Sequence, residues 1–238
     1  MISELLKKSL PLYELTLPVS GKKCKYRPMT VKEEKILLLA QKSDSGAEMA
    51  RALLQIIESC FEGIESPEKM AIADVEKAFL SLRAKSIGEE AVFSIICPET
   101  NEVVTVKVDL EKFELNTPKV ESNKIKLSEN MILVLKEPEF SYLLNEETDS
   151  DDDMKSIFKN CFVEVQTPEN VYYKKEVSEQ DMSNFYDLMT GKSIEQLKQF
   201  LNATPRMKKT LEYKTKDQTN RSIDIMGIES FFAYASAT

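Results

Sequence analysis

The sequence contains no histidine and no tryptophan. Without histidine there is no Ser/His/Asp triad, no Cys/His dyad and no imidazole ligand for a metal. Carboxylate, lysine and thiol chemistry remain formally open. Glycine is scarce at 6 residues, and neither a GxGxxG nor a GxxxxGK[ST] string occurs, so no phosphate-cradling loop is in view. The four cysteines, Cys24, Cys60, Cys97 and Cys161, are dispersed without a CxxC pair. Free thiols in a reducing compartment are the simplest expectation. No apolar run approaches the roughly 20 residues that cross a bilayer. The stretch Met1 to Leu10 interrupts its apolar pairs with Glu4, Lys7 and Lys8, unlike the continuous core of a secretory signal. Acids outnumber bases by 40 to 32, a formal charge of −8. A broad basic face for nucleic acid or for an anionic membrane is therefore not expected.

Set against those absences, 42% of the 238 residues are hydrophobic, enough for one large core or two ordinary ones. A landmark also recurs along the chain. Ser59-Cys60-Phe61 followed by Ser66-Pro67-Glu68 is echoed, at one constant offset, by Asn160-Cys161-Phe162 and Thr167-Pro168-Glu169. Ala78 to Leu82 then matches Asn184 to Leu188, and Lys85-Ser86-Ile87 matches Lys192-Ser193-Ile194. Thr100-Asn101 leading to Phe113 matches Thr219-Asn220 leading to Phe231-Phe232. Tyr26-Arg27-Pro28 finds a weaker echo in Lys136-Glu137-Pro138. Kept order with drifting offset is what loop insertions leave after a duplication.

The first unit reads as a hairpin around Ser20-Gly21, joining Tyr13 to Pro18 with Lys23 to Arg27. Capping-box spacings at Thr30-Glu33 and Ser45-Glu48 open two helices, with Ile36 to Ala40 as the apolar face of the first. A third helix runs from about Asp74 to Lys85 and stops at Gly88. A second hairpin joins Ala91 to Ile96 with Val103 to Leu110. The second unit repeats this order. Strands are expected at Lys124 to Leu127 and Ile132 to Lys136, and helices at Asp153 to Phe162 and Ser178 to Met189. A last hairpin pairs Leu211 to Lys214 with Ser222 to Met226. The fold class is α+β, internally duplicated, each unit combining β-hairpins with two or three helices. The units are 1–115 and 124–238, with 116–123 as linker.

Few segments offer chemistry. The acidic run Asp149 to Asp153 fails as a calcium loop, with Met154 where glycine is needed and Asn160 where a bidentate glutamate is needed. Cys97-Pro98 has no second cysteine nearby to make a zinc knuckle. Cys60 and Cys161 fall on apolar helix faces and fit core packing. Neither a metal nor a cofactor is expected. Phe231 and Tyr234 could anchor a partner or pack inward, as the match of Phe113 to Phe232 suggests.

The segment Tyr26-Arg27-Pro28-Met29-Thr30-Val31-Lys32-Glu33-Glu34-Lys35, with Leu37, Leu38 and Ala40, resembles the baseplate hub and hub-assembly proteins of T-even-like contractile-tailed bacteriophages. So do Asp74 to Arg83, Ser86, Gly88, Cys97-Pro98 and Val106 to Leu110. Together these cover most of the first half; the second half is matched through the repeat. Some proteins of this kind carry a further cysteine after the Cys-Pro pair, which this chain lacks. The resemblance implies a non-enzymatic part in building the tail baseplate, in the host cytoplasm or in the virion, with other phage tail or baseplate proteins as partners. The alternative is a general binding adaptor or chaperone. Tyr26, Arg27 and Pro28 would shape one binding surface; equally, Tyr26 could be core, Pro28 a strand stop and Arg27 solvated.

Overall fold

A computed structural model describes residues 6, 9–43, 45–118, 122–144 and 150–234, and of 150–153 the backbone alone. It is α+β, with seven α-helices and twelve strands among the described residues. The chain packs as two compact units, one made of Met1–Asn116 with Arg206–Thr238, the other of Thr117–Pro205.

In the first unit, β1 (Tyr13–Thr16) and β2 (Lys23–Tyr26) form the expected hairpin. Gly21 takes the positive φ of 67° that its turn requires. The turn is held from outside, because Val19 and Ser20 N–H groups donate to the two oxygens of buried Asp74 at 2.7 and 3.1 Å. Two helices follow, α1 (Val31–Ser43) and α2 (Gly46–Cys60). Both begin at the predicted caps: Thr30 N–H donates to Glu33, and Glu48 N–H donates to Ser45. Ala47, Ala50, Leu53, Leu54 and Ile57 repeat at helical spacing, and all are buried. Next, β3 (Phe61–Glu62) adds a third strand beside β2. Then α3 (Ile72–Ser86) leads into the hairpin of β4 (Glu90–Ile96) and β5 (Val103–Asp109). Alternation is clean in β4, where Ala91, Phe93 and Ile95 point inward. Asn101 in its turn adopts φ 54°, which asparagine tolerates.

A short strand β6 (Glu114–Asn116) ends this stretch, and its partner comes from far away in sequence. The long strand β11 (Arg206–Lys214) pairs with β6 on one side and with β12 (Asn220–Met226) on the other. After β12, the helix α7 (Gly227–Tyr234) puts Phe231 edge-on against Phe79 of α3 and Phe93 of β4, at 5.6 and 5.4 Å.

The second unit is a four-stranded antiparallel sheet in the order β10-β9-β8-β7. Its strands are β7 (Lys124–Ser128), β8 (Met131–Leu135), β9 (Phe162–Gln166) and β10 (Val171–Tyr173). Helices α4 (Ser150–Cys161), α5 (Glu179–Asp187) and α6 (Gly191–Asn202) complete it. Leu133, Phe158, Phe162, Met182 and Leu197 form its core.

Residues 206–238, expected in a second unit of 124–238, belong to the first instead. The hairpin reading of 211–226 holds, but a strand edge needs a pairing partner, and β6 supplies it. The linker expected at 116–123 lies partly outside the described residues. The match of Lys192-Ser193-Ile194 to Lys85-Ser86-Ile87 also fails in structure. The first triplet opens α6 behind the cap Thr190, whereas the second closes α3.

One ion pair fastens β11 to α3. Arg206 Nε donates to Glu76 Oε1 at 2.6 Å, and Met207 N–H donates to Oε2 at 2.7 Å. Arg206 Nη2 also reaches Glu229 of α7 at 2.5 Å. Gly227, at φ 76°, is where the chain passes Arg206; a Cβ there would collide with the guanidinium. Replacing Glu76 by Ala leaves the buried Met207 N–H without its acceptor and the Arg206 guanidinium with Glu229 alone. Urea denaturation of E76A is expected to show a loss of about 3–5 kcal/mol. The double variant E76M/R206M should recover the part of that loss that comes from the guanidinium, while the Met207 N–H stays without its acceptor; no recovery at all would mean the pair itself supplies the stability.

Candidate interaction surface

Tyr26, Arg27 and Pro28 make the corner between β2 and α1. Tyr26 is buried, its ring stacked on Phe61 at 5.0 Å and tilted against Tyr13 at 5.6 Å. Arg27 and Pro28 are half-buried. The Arg27 guanidinium donates to both Glu33 oxygens, at 3.0 and 3.4 Å, and to the carbonyls of Ser59 and Pro28 at 3.0 Å each. Side-chain exposure is 16% for Arg27 and 4% for Glu33. One arginine thus ties the end of β2, the start of α1 and the end of α2 together. Its charge is engaged inside the fold, so neither a solvated Arg27 nor a freely exposed one describes it.

Burial alone would push the Glu33 carboxyl up, but hydrogen bonds from Arg27 and Thr30 outweigh it and hold the group at about 2. Several other displaced groups are also internal, whereas Lys85 is raised at the surface by Glu111 and Glu89. Burial pushes Glu76 up to about 7 against the pull of Arg206 and the Met207 N–H. Burial also raises Cys60 to about 11 and Cys161 to about 12, which suppresses thiolate at neutral pH. All four cysteines are free and buried, as the sequence indicated for Cys60 and Cys161. Cys97 interacts with Thr100 and Tyr213, and the Tyr213 hydroxyl is pushed up to about 12 by that contact. Perturbed groups of this kind can mark a catalytic site. Here burial in the fold or a structural partner accounts for each.

Phe231 is buried in the ring cluster with Phe79 and Phe93, and Tyr234 is half-buried at the last position of α7. Tyr26 and Phe231 therefore serve the core, and of the five residues singled out from sequence only Arg27, Pro28 and Tyr234 reach the surface. Among the described residues no group of three or more Cys, Asp or Glu side chains could hold a metal ion. No described helix is long and apolar enough to cross a membrane. Asp149 and the side chains of residues 150–153 lie outside the described residues; the backbone of 150–153 forms the first turn of α4.

Sequence reasoning overlooked a different surface. Leu37 and Ala40 of α1 face inward, but Leu38 and Leu39 are 48% and 69% exposed and Val31 is 66% exposed. The signal was present: three consecutive leucines cannot share one side of a helix that turns about 100° per residue. Other exposed apolar side chains are Tyr172 and Tyr173 on edge strand β10, and the cross-strand pair Ile96 and Val103.

A family model, the T4 bacteriophage base plate protein, matches residues 10–233. The chain belongs to that family. No curated protein and no solved structure shows significant similarity to it. As a T4-type base plate protein, the chain fits a structural role among other phage tail or base plate proteins, and a place in the tail base plate of the virion. The matched span includes the Arg27–Glu33 corner, the Glu76–Arg206 pair and every strand of the four sheets among the described residues.

The Glu33 shift has a definite sign. Its folded value lies below the ordinary 4.5, so its contribution is complete above about pH 4.5 and fades as pH falls toward 2. E33Q is expected to be less stable than the parent by up to about 3 kcal/mol at pH 7. Denaturation curves at pH 7 and pH 3 should show that gap narrowing in acid; a gap independent of pH would contradict the assignment.

Proposed function

We propose that this base plate protein is a non-enzymatic hub component, or a factor that assembles the hub, and that it works by protein–protein recognition in the host cytoplasm. Family membership across residues 10–233 carries the reading. The internal engagement of the displaced carboxylates and thiols supports it, since Glu33, Glu76, Cys60 and Cys161 are each buried against the fold rather than presented to a substrate. Tail proteins are the expected partners, and Arg27, Pro28 and Tyr234 the surface-reaching members of the residues proposed to contact them.

The proposal includes an internal duplication. Two corners support it. Arg27 N–H donates to Cys60 O at 3.0 Å, and Lys136 N–H donates to Cys161 O at 2.8 Å. In each case a helix ends in that cysteine, and the following phenylalanine pairs with the last residue of the hairpin's second strand: Phe61 with Tyr26, and Phe162 with Leu135.

Affinity purification of the tagged full chain from infected cells, with mass spectrometry of the co-purifying proteins and of purified virions, tests the function. Recovery of base plate proteins is expected. Presence of the chain in virions would make it a hub component, and presence only in assembly intermediates would make it an assembly factor. Consistent recovery without any tail protein would overturn the proposal.

A further inference from the structure

Helix α1 carries an apolar surface that its own unit does not use. Glu33, Leu37 and Ala40 form the inner face, and α1 packs on α2. Val31, Leu38 and Leu39 point the other way, into solvent. Exposed Lys32, Lys35 and Lys42 lie on the same roughly one-third of the circumference, interleaved with those three. No ion pair among the described residues engages these lysines. The two acids of the helix are elsewhere: Glu33 is buried and tied to Arg27, and Glu34 is half-buried at the flank. Beside that flank, Arg83 of α3 is 9% exposed, its Nη1 has no hydrogen-bond partner, and Glu34 is the charge acting on it. Single exposed leucines need no explanation, but three apolar residues ringed by one sign of charge on one helix make a patch. In a chain of net charge −8, this cationic face is a local inversion.

We propose that the outer face of α1 docks an acidic amphipathic helical segment of another tail protein, a step that rests on the protein-recognition reading above. Apolar positions of that segment would cover Val31, Leu38 and Leu39, and its carboxylates would meet Lys32, Lys35 and Lys42. The chemistry favours a protein over the other candidates. The face has no aromatic platform for bases. The strongly acidic remainder of the chain works against adsorption to anionic lipid. Between β8 and β9 the described residues of the second unit form a 3-10 turn (Phe140–Leu144) and α4, neither of which repeats this pattern of lysine and leucine.

Fluorescence titration of the full chain with a synthetic acidic peptide, leucine at positions i, i+3, i+4 and i+7 and glutamate elsewhere, tests the proposal. Saturable binding is expected, weakening when salt rises from about 50 to 500 mM. A peptide of the same composition without the periodicity should bind at least about tenfold more weakly. L38D/L39D should lose about tenfold or more in affinity with an unchanged melting temperature, because both side chains are exposed. Should that variant misfold, K35E/K42E reads the charge component independently. Parent-like binding by either folded variant, no binding by the parent chain, preference for phosphatidylserine vesicles, or dimerisation through α1 in sedimentation would each overturn it. Purification of the folded variants from infected cells separates this proposal from the broader one. If the peptide test fails while tail proteins still co-purify, α1 docking falls and base plate recognition stands.

Discussion

Glu76 and Arg206 stand 130 positions apart in sequence and 2.6 Å apart in space. Glu76 is almost fully buried in the middle of a helix whose neighbours are apolar, a site that disfavours charge. The carboxylate is tolerable there because β11 brings a guanidinium to one oxygen and the Met207 N–H to the other. Buried pairs of this kind contribute little net stability, yet either half alone is costly. Their effect is selection. Arrangements that leave β11 elsewhere strand Glu76, so the C-terminal strands are held to the position that gives this carboxylate its partners.

The same device recurs nearby at smaller scale. Asp74, two residues before Glu76 on α3, is buried beneath the first hairpin and accepts both N–H groups of its turn. Glu33 is buried beneath α1 and accepts from Arg27 and Thr30. Three buried acids thus locate three peripheral pieces around the first unit: the β1–β2 turn, the start of α1, and the β11–β12 hairpin with α7. Apolar packing supplies the driving force in all three places, through Tyr26 against Phe61 and Phe231 against Phe79 and Phe93. The acids fix the register and angle at which that packing occurs. With Glu33 turned inward, the exposed surface of α1 is mainly lysine, valine and leucine.

Local structure was legible because its causes are local. Caps at Thr30, Ser45 and Ser178, the turn at Ser20-Gly21 and the period-2 pattern of β4 each act within a few residues. The short pieces β3, β6 and β10 carry too few residues for a pattern, and α6 and α7 were missed because glycine at their first positions reads as a break. The hairpin of β11 and β12 was legible, but its placement in the second unit failed for a different reason. Nothing in a hairpin's own sequence names the strand that completes its sheet, and Glu76 looks like any acid on an amphipathic helix until Arg206 arrives. The candidate surface was half legible. Tyr26-Arg27-Pro28 marked a real corner, but its exposure could not be read from sequence, because Glu33 and Ser59, which absorb Arg27, come from two other elements.

Native-state hydrogen exchange on the intact chain tests most directly whether the C-terminal strands are part of the first unit. The amides of Met207, Leu211 and Tyr213 in β11 should open at the same free energy as those of α3, and separately from β8 and β9. Exchange of β11 in step with β8 and β9, and apart from α3, would contradict the account.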